Sequence, residues 1–305
     1  MIFPVPEIET FDPQRRVVEL NAQARDARLS VVIVNYLAYE PLADCLESLA
    51  PFIAPADIVV VDHLTQPHSL ERLATRFPGV RFIPSARNPG FAAGVNRGVH
   101  ETNGEYVLLL NPDAILASDP RAMASWMSAH PNAAVCGAIV READGSLQAS
   151  ARRFPGVFTG LAGRTAWLTR AWPDNPWTAR NLVRDVPAEP IEVDWVSGAC
   201  MMLRRHAFTS VGGMDEQFHL YWEDADVCRR LRQAGWLTYY TPAVSATHLT
   251  GGSSRHAREA SLVAFHESAY RYYRKHGSPL LAPFAFAALK TRLCVKRALL
   301  RLRSF

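Results

Sequence analysis

The chain has 305 residues, 49% of them hydrophobic and 20% charged, enough for one large α/β domain or one domain with a smaller lobe around an ordinary globular core. Its five cysteines (Cys45, Cys136, Cys200, Cys228, Cys294) are odd in number, far apart and without a Cys-x-x-Cys pair, which argues against both a disulfide framework and a structural zinc site and makes a reducing cytosol the expected compartment. The net charge of +4 conceals an asymmetry: nine cations and no acid follow Glu267, so the rest of the chain totals −5 (4 − 9), and a basic end of this kind suggests an anionic surface as partner rather than nucleic acid.

Met1 to Arg28 carries Pro4, Pro6 and Pro13 and has no apolar core, so it reads as an N-terminal extension and not as a signal peptide. Leu29 to Asn35 is a continuous β-branched run, the pattern of a strand buried on both faces. Leu42, Cys45, Leu46 and Leu49 have helical spacing. Ile58 to Val61 is a second buried strand, ending at Asp62. A helix around Leu70 to Arg76, a strand over Val80 to Ile83, a helix over Gly90 to His100 and a strand over Tyr106 to Leu110 follow. Strands alternating with helices at these spacings predict a mostly parallel, Rossmann-like central sheet flanked by helices. Ligands of such sheets bind beyond the carboxyl ends of the strands, where Asp62, Asn111 and Asp113 fall.

Beyond Pro120 the pattern loosens. Ala133 to Val140 is expected to be a strand, Asp144-Gly145 a tight turn, and the Pro-, Trp- and Arg-rich stretch 155–190 an irregular insertion. Strands are predicted at Val193 to Trp195, Cys200 to Leu203, Trp236 to Tyr240 and Val244 to Ala246, and helices at Glu223 to Ala234 and His256 to His276. In the last segment, Leu280 to Leu289 is apolar, interrupted by Pro283 and too short to span a bilayer. Leu293, Val295, Leu299 and Leu300 then interleave with basic residues. The segment reads as an amphipathic interfacial helix, or as a basic surface helix docked on the domain.

Four stretches carry residues with usable chemistry. Asp113, in Leu108-Leu-Leu-Asn-Pro-Asp113, follows a buried strand and could hold a divalent cation bridging two phosphates of a nucleotide-sugar; the same letters also make a plain turn. Tyr221-Trp-Glu-Asp-Ala-Asp226 places three carboxylates directly after aromatic residues. This is either an acidic first helical turn with an Asp226–Arg230 pair, or a general base whose pKa an aromatic wall raises, with Glu223 and Asp224 as candidates. His248 precedes a Gly/Ser-rich loop and is a possible metal ligand. In Arg87-Asn-Pro-Gly-Phe-Ala-Ala-Gly-Val-Asn96, Gly90 and Gly94 would let the backbone approach a ligand, and Arg87 could meet a diphosphate; a loop-to-helix cap is the other reading.

In this order the pieces resemble the family-two glycosyltransferases of the GT-A fold, and within them the bacterial rhamnosyltransferases of cell-wall and polysaccharide assembly. The likeness runs from about Leu29 to His276. Val31-Val-Ile-Val-Asn-Tyr36 is similar to the family's first strand, and Val59-Val-Val-Asp62 to the strand whose aspartate reads the base. Asn88 to Asn96 resembles the Gly-Phe-Ala-x-Gly-x-Asn segment, and Leu110-Asn-Pro-Asp113 a variant of the metal-binding Asp-x-Asp. Val196-Ser-Gly-Ala-Cys200 with Val211-Gly-Gly-Met-Asp-Glu216 resembles the acceptor-side wall. Trp222-Glu-Asp-Ala-Asp226 resembles the segment with the catalytic base. His248, Gly251 and Ser253 resemble a His-x-x-Gly-x-Ser element whose histidine completes the metal site. Asn111 stands where many members have aspartate, His63-Leu64 replaces a common Asn-Ala-Ser, and Val95 replaces a frequent Asn.

The resemblance implies a GT-A domain over residues 29–276, with a donor half about 29–118, an acceptor half about 119–276 and a basic tail over 277–305. It implies an inverting transfer with Mg²⁺ or Mn²⁺ at Asp113 and His248, and with Asp224 as base and Glu223 as its alternative. Asn35, Tyr36, Asp62, Arg87, Asn88, Gly90, Asn96, Asn111 and Asp113 would bind a nucleotide-diphosphate sugar. Ser197, Gly198, Trp222, Asp226 and Ser253 would lie on the acceptor side. The stretches Ser150-Ala-Arg-Arg-Phe-Pro155 and Trp172-Pro-Asp-Asn-Pro-Trp177 look like enzymes that rhamnosylate a polyprenyl-diphosphate-linked amino sugar. They suggest dTDP-rhamnose as donor and a lipid-linked saccharide or glycan as acceptor, at the cytoplasmic face of a membrane. A sugar nucleotidyltransferase, which would need a Gly-rich Arg/Lys-bearing loop not found after the first strand, and a non-catalytic GT-A-like binding protein are the alternatives. The reading requires that Asp113, Asp224 and His248 line one cleft.

Overall fold

The computed structural model describes residues 28–155, 171–172, 175–249 and 258–302. Strands β1 (Leu29–Tyr36), β2 (Ile58–His63), β3 (Arg81–Ser85) and β4 (Tyr106–Leu110) lie side by side and parallel, in the order β3-β2-β1-β4. They are joined through α1 (Tyr39–Leu49), α2 (Pro67–Arg76) and α3 (Phe91–His100). Successive strand side chains point to opposite faces, so a strand covered on both sides needs apolar residues at every position. In β1, Val31 and Ile33 enter one core with Leu42 and Leu46 of α1. Val32 and Val34 enter the other with Ala92, Val95 and Val99 of α3.

The parallel arrangement holds through β4. Beyond it the sheet is mixed, and it has nine strands among the described residues. After β5 (Ala114–Leu116) and α4 (Arg121–Ala129) comes β6 (Ala133–Glu142). The pair β7 (Ala151–Arg152) and β9 (Trp195–Val196) forms a small separate sheet. Between them lie α5 (Pro176–Asn181), capped by the Asn175 side chain, and β8 (Ile191–Val193). Then β10 (Cys200–Arg204) inserts antiparallel between β4 and β6, followed by α6 (Arg205–Ser210) and α7 (Glu223–Gln233). Strand β11 (Leu237–His248) closes the order, lying parallel to β6 and antiparallel to β5 and β8. Helix α8 (Arg258–His276) packs beside α7, and α9 (Ala282–Leu302) folds back on α8.

Five elements, β5, α4, β7, α5 and α6, were not expected from the sequence; α5 lies in the stretch 155–190 read as an irregular insertion. The two strands expected between Trp236 and Ala246 are one, β11, whose register on β6 shifts between Thr241 and Ser245. Pro242, without an N–H to give the ladder, falls in that shifted stretch.

The glycines at the start of α3 and within it are packed closely against the protein. Gly90 has φ +107°, and a Cβ there would lie 2.5 Å from the His219 carbonyl oxygen. At Gly94 a Cβ would come 2.6 Å from Val34 Cγ1, and one at Gly98 would collide with Val32 Cγ1. These two positions set the close approach of α3 to β1. Gly98→Ala should therefore destabilise the protein by about 1–3 kcal/mol of overpacking, more than the helix-propensity gain of up to about 1 kcal/mol returns. Denaturant midpoints of the two proteins measure the difference.

Candidate active site

The ends of β1 and β2 carry a buried polar cluster. Asn35 and Asp62 face each other in the strand register and both have no exposed surface. The Asn35 amide donates to Asp62 Oδ1 (2.6 Å), and the Tyr39 hydroxyl donates to Oδ2 (2.9 Å). The same hydroxyl accepts from the Gln66 N–H (2.7 Å), and Asn35 Oδ1 accepts from the Ala38 N–H (3.2 Å). Burial pushes the Tyr39 phenol up to about 12, so it stays a donor. Asp62, expected to meet a nucleobase, is held here by side chains of the protein. Its two oxygens are enclosed and order the turns after β1 and β2, because a buried carboxylate must have its hydrogen bonds satisfied. Beside it His63 is buried, which lowers its pKa, and it bonds the Asn88 side chain. The surfaces left at this end are the half-buried Tyr36 and Asn88 and the exposed Arg87.

A second cluster joins the end of β4 to the end of β11. His248 Nε2 lies 2.9 Å from Asp113 Oδ1 and 3.2 Å from Asn111 Nδ2. The pairing of β11 with β5 makes this contact: His248 sits opposite Ala114, the residue after Asp113, and the Leu249 N–H donates to the Asp113 carbonyl (2.8 Å). On its other side, Nδ1 is 2.8 Å from the amide nitrogen of Gln148, which also donates to Glu142 Oε1 (3.1 Å). Gln148 is a site residue that sequence reasoning missed. It lies on the return from the Asp144-Gly145 turn, and a lone glutamine there carries no motif.

The third cluster is the start of α7. Asp224 is half-buried; its Oδ2 accepts from the Gly198 N–H (3.3 Å) and its Oδ1 from the Ala225 N–H (2.8 Å). The loop carrying Ser197 and Gly198 is itself fixed to the second cluster, since the Asn111 N–H donates to the Ala199 carbonyl (3.0 Å). Burial raises the pKa of Asp224, and nearby Arg152 offsets part of that rise. Glu223 is only 5% exposed, and its Oε2 finds no partner among the described residues. Burial and the Asp224 carboxylate push its pKa well above the ordinary range. Of the two adjacent carboxyls, the enclosed Glu223 is pushed up further than the better-bonded Asp224.

Directly before them, Tyr221 and Trp222 are both left-handed, with φ of 68° and 73°. Two such non-glycine residues in a row are costly, on the order of 1–2 kcal/mol each. Their rings hold the turn by packing on α8: Tyr221 and Trp222 lie 5.8 and 5.5 Å from Phe265, and Trp222 lies 5.4 Å from Tyr272. The aromatic wall is thus an anchor to α8.

Two expected site residues face elsewhere. Asp226 has no exposed surface and pairs with Arg230 (2.7 Å), His276 (2.7 Å) and Lys275 (2.9 Å), behind the cleft and not on its acceptor side. Asn96 spends its amide on the Met214 backbone in both directions (2.9 and 2.8 Å) and on Glu216, so it braces the 211–216 loop and is not free for a donor. Ser253 lies outside the described residues. Asn111, Asp113, His248, Gly198 and Asp224 are brought together as one connected set.

A family model described as "Glycosyltransferase like family 2" matches residues 27–264. The chain belongs to glycosyltransferase family 2. This glycosyltransferase is 32% identical, over 90% of its length and 95% of the relative's, to the N-acetylglucosaminyl-diphospho-decaprenol L-rhamnosyltransferase of Mycobacterium tuberculosis. It is 24% identical to rhamnosyltransferase WbbL of Escherichia coli K12, over 80% and 89% of the two chains. Solved GT-A structures share its fold. The mannosyltransferase PcManGT of Pyrobaculum calidifontis, in complex with GDP-Man and Mn²⁺, superposes with a TM-score of 0.53 at 14% identity, covering 93% and 87% of the chains. GalNAc-T7, with UDP, GalNAc and Mn²⁺, gives 0.56 at 16% identity; 81% of this chain matches half (50%) of that one.

In this glycosyltransferase the Asp226 network holds α7 to the end of α8. Burial alone would raise the Asp226 pKa; the hydrogen bonds of His276 and Lys275 and the Arg230 charge outweigh it and hold it at about 2. A folded pKa below the unfolded value of about 3.9 stabilises the fold above that value, and the contribution is lost as pH falls from about 4 toward 2. Asp226→Asn should therefore cost about 2–5 kcal/mol at pH 7, and the gap in thermal midpoint to the parent should close through that acid window.

Proposed function

We propose that this enzyme transfers L-rhamnose from dTDP-rhamnose, with inversion and with a divalent cation, to a hydroxyl of a lipid-linked saccharide in cell-envelope glycan synthesis, at the cytoplasmic face of a membrane that its basic tail contacts. The observation that carries this reading is Asp224, tied to Gly198 and joined through Ala199 and Asn111 to the Asp113–His248 pair. The names of the two rhamnosyltransferase relatives support the sugar, and that of the mycobacterial relative the class of acceptor.

The residues present fit a Mg²⁺ or Mn²⁺ ion bound together with the donor. Adjacent ligands of an octahedral ion are about 2.9 Å apart when each bond is about 2.05 Å. Asp113 Oδ1 and His248 Nε2 are 2.9 Å apart, with 9% and 13% of their side chains exposed. Among the described residues no group of three His, Cys, Asp or Glu converges, so diphosphate oxygens would complete the shell, as is usual for such ions. When bound, the ion neutralises charge on the leaving diphosphate. With Nε2 on the ion, Nδ1 carries the ring proton, and the Gln148 amide 2.8 Å behind it would turn its oxygen to accept that proton.

The chemistry assigned to the chain itself is proton transfer. Asp224 accepts the acceptor hydroxyl's proton as that oxygen attacks the anomeric carbon and the bond to the nucleoside diphosphate breaks. A single displacement with no enzyme nucleophile inverts the centre. Burial disfavours charge on Glu223, and Asp226 is paired with Arg230, Lys275 and His276, which leaves Asp224 as the carboxyl at the start of α7 for the acceptor. Of the donor residues, Tyr36, Arg87 and Asn88 remain to meet nucleotide and diphosphate, while Asn35 and Asp62 shape the floor beneath them.

Asp224→Asn should lower transfer by about 10²-fold or more, with donor binding by thermal shift retained. Glu223→Gln, an isostere of the protonated acid, should keep turnover within several-fold. Normal turnover by the Asp224 variant would end the assignment, and the reverse pattern would move the base to Glu223. Gln148→Ala should weaken Mn²⁺ binding in the presence of nucleoside diphosphate by about 10–100-fold, read by electron paramagnetic resonance of the free ion.

A further inference from the structure

Helix α9 presents its apolar side away from the protein. Its half-buried positions, Ala282, Ala285, Leu289, Arg292, Leu293 and Lys296, recur at helical spacing and face α8. The Phe286 ring packs 4.9 Å from Tyr270, and Arg297 pairs with Glu259 at 2.6 Å. The opposite side, at positions 284, 287, 288, 291, 294, 295 and 298, is exposed and carries no charge. Phe284 is 72% exposed, Val295 54% and Leu280, just before the helix, 85%. Five of the ten large hydrophobic side chains exposed among the described residues fall between 280 and 295, so the patch is concentrated and not scattered.

The charges at its margins say what covers it. Lys290 and Arg292 flank the apolar face on its two sides, and no acidic residue follows Glu267. A helix of 21 residues is about 31 Å long, but none in the described chain is long and apolar enough to cross a membrane. An uncharged face between cations on a non-spanning helix is the pattern of an element lying in the plane of an anionic interface.

We propose that the outward face of α9 docks the enzyme on an anionic lipid bilayer. Leu280, Phe284 and Val295 enter the acyl boundary, and the exposed Lys290 meets headgroup phosphates. This deepens the reading of a membrane-presented acceptor and rests on it. Because α8 lies between α9 and the Tyr221–Trp222 turn, docking holds Asp224 at a fixed height above the lipid. The contact is apolar as well as electrostatic, so part of it survives salt, unlike that of a merely basic tail.

The test is sedimentation of the full chain with phosphatidylcholine vesicles containing phosphatidylglycerol, at low and high salt, and with phosphatidylcholine alone. The expected result is binding to the anionic vesicles that persists in part at high salt. The double variant F284E/V295E should lose about tenfold or more in partitioning. Val186→Glu, the same change at an exposed apolar site elsewhere, should bind as the parent. Unchanged partitioning of F284E/V295E would overturn the proposal. So would a concentration-dependent dimer in ultracentrifugation that F284E/V295E abolishes, since a second copy would then cover the face. Donor hydrolysis in vesicle-free solution should be equal in parent and double variant; loss of sugar transfer with vesicle binding intact would count against the proposed function and not against this surface.

Discussion

The candidate site depends on the register of β11 between β6 and β5. Asp113 and His248 are 135 positions apart in the chain, and neither strand end alone makes a ligand pair. Pairing β11 antiparallel to β5 sets His248 opposite Ala114, and pairing it parallel to β6 sets the same residue opposite Glu142, beside Gln148. A slip of one residue would turn every side chain of the strand to the other face and carry the imidazole away from both. The irregular stretch between Thr241 and Ser245 lets the strand satisfy β8 at its start and β5 at its end.

The start of α7 is held from behind in the same sense. The left-handed turn at Tyr221 and Trp222 aims Asp224 at the Ser197–Ala199 loop, and such a conformation persists only where its surroundings over-determine it. Phe265 and Tyr272 pack against the turn, and Asp226, two residues beyond Asp224, is clamped by Lys275 and His276. The adjacent carboxylates of this acidic run thus do different work. Glu223 is enclosed, Asp224 is half-buried against the Gly198 loop, and Asp226 ties the helix to α8. If α9 meets a bilayer, the same α8 is the mechanical link between lipid and base.

How much was legible follows from the kind of signal each residue leaves. Strands β1, β2 and β4 are buried on both faces, so they must be runs of apolar residues and stand out at once. Helices α3 and α7 show amphipathic spacing. Short β5 and α6 leave too few residues for a period to show. The letters around Asp113, Asp224 and His248 stood apart in the sequence, and hydrogen bonds through Asn111, Ala199 and Gly198 connect their segments. The letters alone did not show that Asp62, Asn96 and Asp226 are held by partners within the protein. A polar residue next to a ligand and one satisfied inside the protein look alike until their partners are known: Tyr39, Met214 and His276 are those partners, and none is near in sequence.

By itself the sequence determined the alternation of strands and helices through β4, the chemical types at the strand ends and the uneven distribution of charge, because these are properties of neighbouring residues. Only the tertiary structure decided which carboxylates are open and which enclosed, that Gln148 stands behind His248, and which side of α9 is covered. Those are questions of desolvation and of pairing across long loops, and the energy of a polar group is set by what surrounds it in space.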